Sequence, residues 1–116
     1  MMRSPLAALA LLATLALAPR PVAADEQWVP VIHAAAARHG VSGSWLERTL
    51  RCESALRPGA LGAAGERGIA QLHPQGELRT FFAEGFSDPF VAEEAIEFAA
   101  GAFAAGRAAA WTCARR

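Results

Sequence analysis

Apolar residues recur along most of this chain at helical rather than alternating spacing. Between Trp28 and His39, Val31, Ile32, Ala35 and Ala36 share one side of a helix, with Pro30 in its first turn and Gly40 as its stop. A second helix is predicted from Trp45 to about Leu56. Ser44 and Glu47 have the spacing of a capping box, and Pro58 disfavours helix at Arg57. On that helix Leu46, Leu50 and Glu53 stand at i, i+4 and i+7, so a carboxylate extends the apolar stripe. Gly59, Gly62, Gly65 and Gly68 make the next stretch a loop, and Pro74 closes a short apolar run over Ile69–Leu72. Glu77 to Glu84 reads as a helix around Leu78, Phe81 and Phe82, stopped by Gly85. Asp88 and Pro89 read as the N-cap and first residue of a helix with Ala95, Ile96, Ala99 and Phe103 on one face. Gly106 ends it, and Ala108–Cys113 forms a short tail helix. The expected class is all-α, or α+β at most, with any small strand element near Ile69.

The amino end follows a different pattern. Arg3 precedes an apolar run from Leu6 to Ala18 in which Thr14 alone is polar, and Val22, Ala23 and Ala24 lie just before Asp25. Charged, apolar and then small residues are the order of a secretory signal peptide, and the run is short of the roughly 20 residues needed to cross a bilayer. Residues 1–24 are therefore expected to be a cleaved leader and residues 25–116 one small exported domain, periplasmic or secreted, with no membrane span. Cleavage takes Arg3 and Arg20 from eleven cations and none of the eleven acids, which leaves a formal charge of −2. All the cations are arginines, without a basic cluster, so nucleic acid is a poor candidate partner.

So small a domain has a marginal core, and a covalent staple would help it. Cys52 and Cys113 are the only cysteines, and an exported chain meets an oxidising compartment, so a disulfide is expected. The rival is metal binding through Cys52 with His33 and His39. Their spacing is not of a zinc type, and no metal site is expected.

Two readings of Glu53 compete. One is a surface ion pair with Arg57 at i+4. The other is a partly desolvated carboxyl at a helix C-terminus, raised toward neutrality and able to donate a proton to a leaving oxygen.

The run "ESALRPGALGAAGERGIAQLHP" favours the second, because it resembles the transglycosylase SLT domain of the lysozyme-like superfamily. Glu53, Ser54, Pro58, Ala60, Gly65, Gly68, Gln71 and Pro74 match the family pattern without a gap. "DPFVAEEAIEFAAGAF" from Asp88 is similar to a later family helix, and the Trp-x-Cys of Trp111, Thr112 and Cys113 is familiar among small exported relatives. The chain departs from the family in having no tyrosine, whereas the family usually places one beside the catalytic glutamate. Trp111 falls about where that residue would lie, as an indole N–H donor, an apolar wall against the carboxyl, or plain core.

The resemblance implies a lysozyme-like fold and cleavage of peptidoglycan glycan strands between N-acetylmuramic acid and N-acetylglucosamine, with no cofactor. It implies Glu53 as the catalytic acid and then base, giving a 1,6-anhydro product. It also implies Ser54, Gly68, Gln71, His73 and Trp111 as substrate-contacting candidates. Ser54 alternatively reads as a helix-end serine, Gln71 as a turn residue, and His73 as an edge histidine without function.

Glu66 could change the reaction type. Set across a groove from Glu53 it would activate water, as in a lysozyme-like hydrolase. Beside Arg67 in a glycine-flanked loop, it is expected to be solvated surface. A domain that binds peptidoglycan without cleaving it, and a secreted helical partner protein, stand as readings of other classes.

Overall fold

The computed structural model describes residues 24–115, so the leader reading of residues 1–24 lies outside the described residues except at Ala24. A 3₁₀ turn, Glu26–Trp28, leads into α1 (Val29–His39), which is followed by α2 (Gly43–Ser54), α3 (Glu77–Ala83) and α4 (Ala92–Ala104). Two further 3₁₀ turns, Ala108–Ala110 and Thr112–Arg115, close the described chain. The fold is all-α, with no strand among the described residues. Near Ile69 only isolated antiparallel bridges occur, pairing Arg67 with Leu61 and with Leu72. Gly68 at φ 81° and Gln71 at φ 50° interrupt the extended backbone that a strand would need.

Helix boundaries moved where local hydrogen bonds compete. Ser42, not Ser44, caps α2: its hydroxyl accepts from the Trp45 N–H at 3.2 Å. Glu47 is drawn away from a capping role by His33 Nε2 at 2.8 Å and Arg51 Nε at 2.8 Å. At its other end α2 stops at Ser54, because Ala55 and Leu56 are both left-handed, at φ 54° and 58°. Asp88 does not begin α4. Its carboxylate accepts from the Phe90 N–H at 2.8 Å, a turn that delays the helix to Ala92.

The core forms where the stripes meet. Ile32, Ala35 and Ala36 from α1, Leu46 and Leu50 from α2, and Ile96, Ala99 and Phe103 from α4 are all buried. Each large apolar side chain so buried contributes roughly 1.5–3 kcal/mol. Two aromatic groups extend the core: Phe81 lies 5.1 Å from Phe86 and 5.4 Å from Phe98, and Phe103 lies 4.7 Å from Trp45 and 5.3 Å from Trp111.

Carboxylates tie the helices at the surface. Glu97 on α4 accepts from Arg38 and bonds His39, both on α1, at 2.7 and 2.8 Å. The bond to His33 holds the Glu47 carboxyl below the ordinary range, with Arg51 adding to it. Arg38, and then His39, do the same for Glu97 against the opposing effect of burial. A depressed folded pKa means stability that is present above the unfolded value, about 4.3, and lost as pH falls through the folded one. Thermal midpoints should therefore hold from neutral pH to about 5 and fall below about 4. Glu97→Gln should flatten that decline, and an unchanged acid profile in the variant would contradict the assignment.

Candidate functional site

Glu53 sits in the last turn of α2, half-buried, where the Leu46–Leu50 stripe reaches the surface. Its neighbour Cys52 is bridged to Cys113, with Cα atoms 5.9 Å apart across 61 residues of sequence. That bridge brings the tail across the helix end, and the Cys113 N–H donates to Glu53 Oε2 at 3.2 Å. One carboxylate oxygen is thus oriented by a backbone donor that is itself covalently anchored. With Cys52 in the disulfide, no thiolate is left to join His33 and His39, which bond Glu47 and Glu97.

Glu53 opens into a compartment of about 100 Å³ that it shares with Glu66, Gln71, His73, Ala110, Trp111 and Thr112. A larger one of about 320 Å³ is also lined by Gln71, His73, Ala110 and Trp111. The two are neighbouring parts of one cleft, narrow at the glutamate and wider beyond it.

Glu66 is not the solvated loop residue expected. It is half-buried and lines the Glu53 compartment. Its Oε1 accepts from the Ala64 N–H at 2.8 Å. Its own backbone N–H, then that of Ala64, hold the carboxyl below the ordinary range, with a smaller contribution from His73. Opposite it, the Gln71 amide donates to the carbonyls of Ala60 at 3.1 Å and Gly68 at 3.0 Å, which turns Oε1 away from those bonds. Gly62 makes this arrangement possible. A Cβ there would lie 2.5 Å from Glu66 Oε1 and 2.7 Å from Gln71 Oε1. In the sequence Gly62 is one loop glycine among four, with nothing local to distinguish it.

His73 is exposed and lines both compartments. Its Nδ1 accepts from the Gln75 N–H at 3.1 Å, which leaves the proton of the neutral ring on Nε2. Trp111 is buried and supplies an apolar wall to both compartments. Its indole N–H donates to the Ala70 carbonyl at 2.8 Å, so of the three readings of this residue the indole donor is taken up inside the protein while the ring faces the cleft.

Ser54 and Gly68 line neither compartment. Ser54 is buried, its hydroxyl set between the carbonyls of Leu50 at 3.1 Å and Ile69 at 2.7 Å, where it ties α2 to the loop. Gly68 is buried against the backbone before α4, and a Cβ on it would collide with the Pro89 carbonyl oxygen. Gly68→Ala combines that collision with a left-handed φ, and should cost about 2–4 kcal/mol. Thermal unfolding would show it, and a midpoint within about 3 °C of wild type would contradict the packing argument.

Thr112, Glu77 and Thr80 also line the cleft. Nothing in local spacing marks them, because two elements far apart in sequence, α3 and the last 3₁₀ turn, bring them there. Among the described residues no helix is long and apolar enough to cross a membrane. No family model, curated protein or solved structure matches the chain.

Proposed function

We propose that this protein is an exported lytic transglycosylase that cleaves peptidoglycan glycan strands, with Glu53 as acid and then base. The observation that carries the reading is the seat of Glu53: a half-buried carboxyl oriented by the Cys113 N–H, opening into a cleft with an apolar wall. The motif register around it supports the same choice, and the disulfide suits an oxidising compartment such as the periplasm or the exterior.

In the first step Glu53 gives its proton to the glycosidic oxygen between N-acetylmuramic acid and N-acetylglucosamine as the bond to the anomeric carbon breaks. The muramic acetamido oxygen stabilises the carbon left electron-poor, a substrate-assisted exception to the two-carboxylate rule. The ionised Glu53 then takes the proton from the sugar's 6-hydroxyl, whose oxygen closes on the anomeric carbon. Glu53 is regenerated in its acid form, and the product ends in a 1,6-anhydro ring. Water is not consumed, and no cofactor enters.

One observation favours a second reading. Glu66 is held ionised in the same compartment, where an ionised carboxylate could activate water and make the reaction a hydrolysis. Transglycosylation is preferred because the motif register supplies a single catalytic carboxyl, Glu53, while Oε1 of Glu66 serves its loop as the acceptor for the Ala64 N–H. Glutamine at 66 keeps that acceptor, so Glu66→Gln should slow turnover less than about tenfold, or ~1.4 kcal/mol in the barrier. Mass spectrometry of muropeptides released from sacculi tests the two routes directly. Anhydro ends support the transglycosylase. Borohydride-reducible ends, with a loss of several orders of magnitude in Glu66→Gln, would make it a hydrolase. Sacculus binding without release would leave a glycan-binding domain.

A further inference from the structure

The expected leader boundary, between Ala24 and Asp25, lies against the helix that carries Glu53. The backbone N–H of Asp25 donates to the Ala55 carbonyl at 3.1 Å. Ala55 is the C-cap of α2 and stands two residues after Glu53. Ala24 and Asp25 are half-buried, and Ala24 packs against the core. Asp25 is itself held in place: its carboxylate accepts from Gln27 Nε2 at 3.0 Å and from Trp28 Nε1 at 3.2 Å.

A helix end leaves carbonyls without intrahelical donors and carries the negative pole of the helix dipole. At this end of α2 the Ser54 carbonyl accepts from the Arg57 N–H at 3.1 Å and from Arg57 Nε at 3.3 Å. The charged groups of the elements that meet here are the Asp25 carboxylate, Glu26, Arg51, Glu53 and Arg57. Both arginines are engaged, Arg51 with Glu26 and Glu47 and Arg57 with Ser54, so the Ala55 carbonyl is left to Asp25. Hydrolysis of the Ala24–Asp25 bond by a leader peptidase consumes one water. It leaves a carboxylate on Ala24 and an amine on Asp25, which is protonated at neutral pH. The neutral N–H facing Ala55 thereby becomes an ammonium, and a cation is favoured at this pole of a helix beyond its hydrogen bond.

We infer that leader cleavage creates a clamp: the Asp25 ammonium docks on the Ala55 carbonyl and fixes the last turn of α2, from which Glu53 projects. The inference rests on the expected leader and goes beyond the glycan-cleaving reading, since the clamp forms whatever the cleft binds. Precursor and mature domain then differ by one charge at the end of the glutamate helix. A cation that gains an acceptor on folding has its pKa raised. Its contribution is fully present below the ordinary α-amino value, about 7.7–8.0, and is lost as pH rises through the folded one.

The chain has no lysine, so amine-directed acetylation of the folded, exported protein modifies its amino terminus alone. An acetyl group restores the amide that Ala24 supplies in the precursor. It keeps the N–H donor, fits the space of Ala24 and removes only the charge. Intact mass should first place the amino end at Asp25, and an end elsewhere overturns the inference. Below about pH 7 the unmodified protein should melt about 2–6 °C above the acetylated one. The gap should close by about pH 10. Over the same range the carbonyl carbon shift of Ala55 should titrate in the unmodified protein and stay flat in the acetylated one. A gap that is absent or independent of pH, or an Ala55 shift that is alike in both forms, overturns the clamp. No substrate enters these measurements, so the clamp can fail while the glycan-cleaving reading stands, and the reverse.

Discussion

Glu53→Gln should abolish muropeptide release from purified sacculi while leaving sacculus binding largely intact. Glutamine fills the same volume, and its amide oxygen still accepts from the Cys113 N–H that orients Glu53 Oε2. What it lacks is an acidic proton for the glycosidic oxygen and, afterwards, a base for the 6-hydroxyl. Loss of general acid–base catalysis alone is worth roughly 10²–10⁴ in rate. Both halves of the proposed reaction fall on this one group, so the decrease should reach at least about a thousandfold. Turnover near wild type in a folded variant would remove Glu53 from the chemistry.

The second large effect concerns the covalent link. Exported protein should show no free thiol by intact mass after alkylation without reductant. Two alkylated cysteines would contradict the Cys52–Cys113 bridge. A bridge spanning 61 residues constrains the unfolded chain by roughly 4 kcal/mol. In a domain of this size, losing it should lower the thermal midpoint by about 15–30 °C. Cys113→Ala should also reduce turnover at temperatures where the variant is still folded, because the N–H oriented at Glu53 belongs to the residue that is released. Full activity in a folded Cys113→Ala protein would separate the bridge from the site.

Helices with a continuous apolar stripe were legible from the sequence. Ala95, Ile96, Ala99 and Phe103 are all buried on α4, and the Leu46–Leu50–Glu53 stripe on α2 leads from buried to half-buried positions. Their spacing is a local property, and packing only had to supply a partner surface. Ends of elements were less legible. Ser42 and Ser44 are both plausible caps, and what separates them is the attraction of Glu47 to His33 on a different helix. At the candidate site the same limit appears. Glu53, Gln71, His73 and Trp111 line one compartment, and of these only Glu53 and Gln71 stand in the motif register. Ser54 and Gly68 belong to the same register but serve the loop's attachment instead. Glu66 and Glu77 reach the cleft through a loop and a short helix whose directions no periodicity encodes. The partner of the Trp111 N–H, Ala70, lies 41 residues away and could not be foreseen from either neighbourhood.

The tail that closes the cleft bears on the order in which the protein acquires its parts. The bond from Trp111 to Ala70 and the one from Cys113 to Glu53 span 41 and 60 residues. Contacts between distant positions form slowly, because the intervening chain must be restrained before they contribute anything. α1 and α2, joined by a few residues and packed on each other, belong to the fast and local end of that scale. A half-folded molecule would thus possess its helical frame yet have no wall opposite Glu53. The enclosure would arrive late and all at once, with the docking of a few residues around Trp111, so that a half-folded chain would carry the glutamate open on one side.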